Sequence, residues 1–173
     1  MATTITFSTV YGSSEFYARR LASSLDLEAR DVADVSRVSD GVLVHFGGLY
    51  AGTVCGLRRA CALSKPPVLL VVCTVGLADP GIEDNAETID TTVRAIARRD
   101  DLVIFHLRGR MDYRKLSVKH RAMMWALVKV LMKSKKGLSD EDRALIGTYG
   151  KAIDFVDESW LDPVRTYLSQ QVE

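Results

Sequence analysis

Near the start of the chain, Ser8-Thr9-Val10-Tyr11-Gly12-Ser13-Ser14 gathers hydroxyl groups around a glycine, directly before a helical pattern. Thr9, Ser13 and Ser14 supply hydroxyl donors, and Gly12 permits close backbone approach. Backbone N–H groups at a helix N-terminus, joined by such hydroxyls, form an anion site that needs no lysine. A terminal phosphate monoester suits that chemistry. Neither G-x-x-x-x-G-K-[ST] nor G-x-G-x-x-G occurs, so the usual nucleotide fingerprints are excluded. The same serines also suit capping of the helix, Ser13 or Ser14 serving as N-cap.

A second concentration of chemistry lies at about residues 108–137. Arg108, Arg110 and Arg114 open it, and guanidinium forks match carboxylates. They also suit charge pairing with Asp79, Asp84 and Asp112. His45 and His106 sit inside apolar runs, where a hydrogen-bonded core histidine is the expectation. No pair of histidines has ligand spacing, so no metal is expected. Cys55, Cys61 and Cys73 are odd in number, contain no C-x-x-C and have apolar flanks. They read as buried free thiols in a reducing, cytoplasmic setting.

Four β-rich runs position these residues. They are Thr4-Ile5-Thr6-Phe7-Ser8, Gly41-Val42-Leu43-Val44-His45-Phe46, Val68-Leu69-Leu70-Val71-Val72-Cys73 and Leu102-Val103-Ile104-Phe105-His106-Leu107. The last three are almost continuously apolar, as strands covered on both faces are. Small-residue loops follow the second run (Gly47 to Gly52) and the third (Thr74 to Asp79). Ala18, Leu21, Ala22 and Leu25 repeat at helical spacing, as do Ala86, Ile89, Val93, Ile96 and Ala97. A final helix carries Trp160, Leu161, Val164, Tyr167 and Leu168, with Asp162 and Pro163 expected as N-cap and N1. With an edge strand near residues 28–32, the pattern predicts an α/β, three-layer sandwich. Its core is a five-stranded parallel sheet with helices on both faces. Ligands of such sheets bind beyond the carboxyl ends of the strands, where the strand order reverses.

Composition agrees with a globular protein. Of 173 residues, 47% are hydrophobic and 26% charged, with a net charge of +1. Near-neutral charge argues against a nucleic-acid partner. Residues 1–173 read as one domain carrying a basic amphipathic insertion at about 108–137. Signal-peptide features and membrane-length apolar runs are absent from the sequence.

The first loop resembles the phosphate loop of the flavodoxin-like family. Its form is most similar to that of the menaquinone-dependent protoporphyrinogen IX dehydrogenases, flavodoxin-type oxidases of haem biosynthesis. Leu107-Arg108, the basic stretch, Leu131-Met132-Lys133, Lys136-Gly137 and Trp160 carry the same resemblance. The likeness implies FMN, with its phosphate on Ser8, Thr9, Tyr11, Gly12, Ser13 and Ser14. Its isoalloxazine ring would lie between Gly48, Leu49, Tyr50, Ala51 and Gly52 on one side and Thr74, Val75, Gly76, Leu77, Ala78 and Asp79 on the other. Tyr50 is the expected stacking ring; a loop tyrosine packed on a helix is the alternative. The implied activity oxidises protoporphyrinogen IX with a membrane quinone as acceptor, Arg108, Arg110 and Arg114 holding the porphyrinogen propionates. Two other functions fit the fold: an electron-transfer flavodoxin and a flavin-free interaction module. Balanced charge disfavours the pure carrier.

At 100° per residue, Lys115, Lys119, Lys129, Lys133 and Lys136 share one side of a helix whose remaining surface is broadly apolar. Such a helix packs against the sheet and a partner subunit in a homo-oligomer. Alternatively, residues 115–136 lie peripherally on the inner face of the cell membrane, lysines toward anionic headgroups. A solvated lysine-rich face is the third alternative.

Overall fold

Strands covered on both faces need apolar side chains at successive positions, and the chain's apolar runs meet that need. The structure, a computed structural model, describes residues 2–50, 52–133, 143, 146, 147 and 149–171, without the side chains of Lys119 and Leu127. In chain order its main elements are β1 (Thr3–Ser8), α1 (Ser13–Ser24), β2 (Ala29–Asp31), β3 (Val42–Tyr50), β4 (Thr53–Val54), α2 (Leu57–Leu63) and β5 (Leu69–Gly76). There follow α3 (Glu83–Ala97), β6 (Leu102–Arg108), β7 (Arg110–Asp112), α4 (Val118–Met132), β8 (Ala152–Asp154) and α5 (Asp162–Gln170). The chain divides into two compact units, one of Met1–Gly109 with Phe155–Glu173, the other of Arg110–Asp154.

In the first unit five strands run parallel in the order β2-β1-β3-β5-β6, and β4 pairs antiparallel with the end of β3. This is the expected sandwich. On one face, Ile5, Phe7, Val44, Phe46, Val71 and Cys73 pack with Tyr17, Ala18 and Leu21 of α1 and Val164 and Leu168 of α5. On the other, Leu43, Leu70 and Val72 pack with Leu57 and Ala60 of α2 and Ile89 and Val93 of α3. From β1 the chain steps outward to β2 and then returns across to β3, so strand order reverses between β1 and β3. One row across the sheet reads Ser8, Gly47, Thr74, His106, close to the strands' carboxyl ends.

Several expectations need correction. Leu25 is the C-cap of α1 and is 40% exposed, and the buried apolar stripe of the helix is Tyr17, Ala18, Leu21 and Ala22. The N-cap of α5 is Leu161, with Asp162 already helical, because the turn Glu158–Leu161 leads directly into the helix. Trp160 lies in that turn. Of the three free thiols, Cys73 alone is fully buried; Cys55 and Cys61 are half-buried, and burial raises the pKa of all three.

The second unit holds the antiparallel pair β7–β8, a turn at Tyr113–Lys115 and helix α4. Ser117 caps α4, its hydroxyl accepting from His120 N–H at 3.2 Å. Lys115 therefore precedes the helix rather than continuing its lysine stripe, and Lys135, Lys136 and Gly137 lie outside the described residues. Val128 is buried and His120, Met124 and Leu131 half-buried, one stripe at helical spacing. Val118, Trp125, Val130 and Met132 are 55–83% exposed.

Candidate functional site

The loop after β1 is built around Gly12. Its φ of +89° is a left-handed conformation that a glycine adopts without strain. Gly12 is the N-cap of α1 and has no side chain, so its N–H is bound instead by Thr9, whose Oγ1 accepts it at 2.8 Å. The expectation that Ser13 or Ser14 caps the helix is thereby corrected. Both lie inside its first turn and are buried, 6% and 1% exposed. The first intrahelical bond shown is Phe16 N–H to Gly12 C=O, 3.0 Å. The N–H groups of Ser13, Ser14 and Glu15 are therefore the leading donors of α1. Glu15, also in that turn, is paired with Arg19 at 2.8 Å. Hydroxyls and helix-end amides at the reversal of strand order form an arrangement able to hold a phosphate.

The stretch after the second apolar run is not a free loop, as the sequence suggests. Gly47, Gly48, Leu49 and Tyr50 continue β3, and Thr53 and Val54 fold back on it with Leu49 opposite Val54. Glycine is required for this. A Cβ on Gly47 would stand 2.5 Å from Val54 Cγ1 and 2.7 Å from the Cys55 carbonyl, and one on Gly48 would stand 2.6 Å from the Tyr50 ring. His45 anchors the turn from beneath. Its Nε2 lies 2.8 Å from the Cys55 carbonyl, which can only accept, so Nε2 donates and Nδ1 faces the Thr6 hydroxyl at 3.1 Å. Full burial lowers the His45 pKa to about 4. Tyr50 meets Tyr11 edge-on, centroids 5.6 Å apart, joining the first loop to the second. Burial pushes its hydroxyl up to about 12. Ala51 lies outside the described residues; Gly52, at φ +72°, is exposed.

Thr74, Val75 and Gly76 likewise belong to a strand, the end of β5, and Gly76 packs against Leu49, so second and third loops meet. Beyond Gly76 the loop is held from within. Asp79 Oδ1 accepts from Gly81 N–H at 2.9 Å, and Asn85 Nδ2 donates to the Asp79 carbonyl at 3.0 Å. Arg108 reaches Asp79 Oδ2 at 3.2 Å and the Leu77 carbonyl at 3.3 Å while its guanidinium lies 3.7 Å from the Phe155 ring centroid. Its backbone carbonyl accepts from the Tyr17 hydroxyl at 2.7 Å.

Of the three arginines expected to bind substrate, only Arg108 belongs to the unit that carries these loops. Arg110 stands 3.8 Å from Asp154, and Arg114 pairs with Asp112, lowering that carboxyl's pKa; all four lie in the second unit. Phe155, Asn85 and Tyr17 were not foreseen at the site. Phe155 is brought to Arg108 from far along the sequence, and no local pattern marks it. Among the described residues, no cluster of three or more His, Cys, Asp or Glu side chains could hold a metal ion.

A parallel sheet of this order, with a hydroxyl-rich loop opening α1 at its switch point, is that of a doubly wound α/β protein. Residues 4–140 match the flavodoxin domain family, and the chain belongs to that family. Membership assigns a flavin-binding redox class, in which FMN is the usual cofactor. No curated protein matches the chain.

Proposed function

We propose that this chain is an FMN-dependent oxidoreductase that converts protoporphyrinogen IX to protoporphyrin IX, with a membrane quinone as electron acceptor. The observation that carries the flavin half is the Thr9–Gly12 bond at the head of α1, which turns the helix's leading amides and the hydroxyls of Thr9, Ser13 and Ser14 into one anion cradle. The residues fit the group: a phosphate monoester needs hydrogen-bond donors and no cation, which the hydroxyls of Thr9, Ser13 and Ser14 and the first turn of α1 would supply. Ser8, Thr9, Tyr11, Gly12, Ser13 and Ser14 would hold the phosphate, and Gly48–Gly52 (numbered 48–52) with Thr74, Val75, Gly76, Leu77 and Asp79 the ring. When bound, FMN supplies two-electron redox chemistry. The protein's own part is to orient the ring, hold Tyr50 protonated beside it and limit water access.

Support for the porphyrinogen half comes from the second unit. There α4 carries exposed Val118, Trp125, Val130 and Met132 among Arg121, Lys129 and Lys133, a surface suited to the bilayer where a quinone dissolves, while Arg110 and Arg114, which would hold propionates, would have to exchange Asp154 and Asp112 for them. No helix among the described residues is long and apolar enough to cross a membrane, so that contact would be peripheral. One observation favours the electron-carrier reading instead: Arg108 already binds Asp79 and Leu77 within its own loop.

The experiment is to purify the protein, record its visible spectrum, and assay turnover of protoporphyrinogen with several quinones. Flavin colour with turnover supports the full reading, and Arg110→Gln with Arg114→Gln then raises the apparent KM without altering the flavin spectrum. Flavin colour without turnover hands the function to the carrier. A colourless protein that ignores added FMN removes both redox readings.

A further inference from the structure

The row of side chains beneath the loop ends contains a hydrogen-bonded chain whose His106 and Asp90 the flavin reading does not use. Thr74, at the end of β5, is 1% exposed, and its hydroxyl lies 2.7 Å from His106 Nδ1 on β6. His106 Nε2 lies 3.0 Å from Asp90 Oδ1 on α3. An ionised carboxylate only accepts, so Nε2 carries the proton and donates to Asp90, and Nδ1 accepts from the Thr74 O–H. Burial holds the imidazole below the ordinary histidine range, against the pull of Asp90, which keeps the ring neutral with that tautomer fixed.

What the chain joins is more informative. Thr74 lies in β5, two residues before that strand ends at Gly76, and Asp90 lies midway along α3, the helix that follows the third loop. A single imidazole on β6 therefore bonds to both elements that bracket loop 77–82, β5 and α3. Arg108, two residues further along β6, holds the body of the same loop through Asp79 and Leu77. Two side chains of one strand thus bond to the elements on either side of the loop and to the loop itself. His45 makes an analogous link beneath the second loop, between Thr6 and the Cys55 carbonyl.

We propose that His106 is a positioning residue for the flavin-facing third loop, acting through Thr74 and Asp90. The proposal rests on the flavin reading for what the loop positions, while the hold on the loop is testable without flavin. His106→Asn keeps an acceptor near Thr74 but cannot reach Asp90; His106→Gln keeps a donor toward Asp90 but leaves Thr74. Val93→Ala, in the buried face of α3, is the control for general loss of stability.

In the flavin-free protein, imidazole nitrogen spectra should show the Nε2–H tautomer. Amides 76–82 should exchange about tenfold faster in both His106 variants, the equivalent of one net hydrogen bond lost from loop ordering. FMN affinity should fall about tenfold in both, and Val93→Ala should lower the Tm while changing neither quantity. His106 variants that match Val93→Ala in loop exchange and FMN affinity would overturn the proposal, and so would an effect confined to one of the two. If the wild type binds no FMN, the flavin reading fails by itself, and the exchange and nitrogen spectra still decide whether His106 holds the loop.

Discussion

The first loop and the third lie at the same end of one sheet and are built in opposite ways. In the first, the Thr9 hydroxyl accepts from Gly12 N–H, and the chain turns directly into α1 with Ser13, Ser14 and Glu15 in its first turn. The third is bound to its own surroundings: Asp79 to Gly81 and Arg108, Leu77 to Arg108, Asn85 to Asp79. The second resembles the third, with His45 and two glycines drawing β4 onto β3. The difference separates binding from positioning. On the proposed reading the first loop binds the anion, and the other two are walls whose shape is set by buried contacts.

The contrast breaks most visibly at the first loop. Thr9→Ala with Ser13→Ala removes two hydroxyl donors to a charged group, at about 1.5–3 kcal/mol each. FMN affinity should fall by more than about tenfold while the Tm stays near that of the wild type. A comparable loss of Tm would show instead that these hydroxyls serve the fold, as capping alone would require.

The walls should answer to pH rather than to ligand. His45 has a folded-state pKa of about 4 against an ordinary 6.5, so the unfolded chain takes up a proton that the folded chain refuses. Its contribution to stability is fully present above about pH 6.5 and is lost as pH falls toward about 4. The loss is about 3 kcal/mol at its limit. Proton NMR should show this imidazole still neutral at pH 5, where a solvent-exposed histidine is charged. An ordinary titration near 6.5 would mean that the Cys55 and Thr6 contacts do not persist in solution.

The smallest effect concerns the second unit, and it sharpens a comparison of exposed with buried apolar surface. Trp125 is 55% exposed, whereas Trp160 packs against the core of the first unit. In a Trp160→Phe background, anionic vesicles should shift Trp125 emission to the blue. Each lysine near the surface adds on the order of 1 kcal/mol, a part that salt screens. Binding should therefore weaken, without vanishing, in high salt. An emission spectrum indifferent to vesicles, with no co-sedimentation, removes the membrane from the account.

Much of this molecule is legible in its sequence because burial on both faces writes itself as continuous apolar runs. Val42 to Phe46, Leu69 to Cys73 and Leu102 to Leu107 announce their strands, and the hydroxyl cluster before α1 announces the loop. What escapes is tertiary. Gly47 and Gly48 read as a loop because small residues break patterns, yet they are glycines because Val54 and the Tyr50 ring need their space. The short helix α2 buries only Leu57, Ala60 and Leu63, too brief a stripe for periodicity to reveal. Arg108 meets Phe155, and His106 meets Asp90, through contacts between distant segments. The charge on Arg108 was visible in the sequence, but its partners were not.

The central claim, that the head of α1 holds a flavin phosphate, is tested most directly by titrating the flavin-free protein with FMN and with riboflavin, which differ only in that phosphate. Charge-assisted bonds from the cradle should make FMN at least about a hundredfold the tighter ligand. Riboflavin binding as well as FMN, or neither binding at all, would contradict the account.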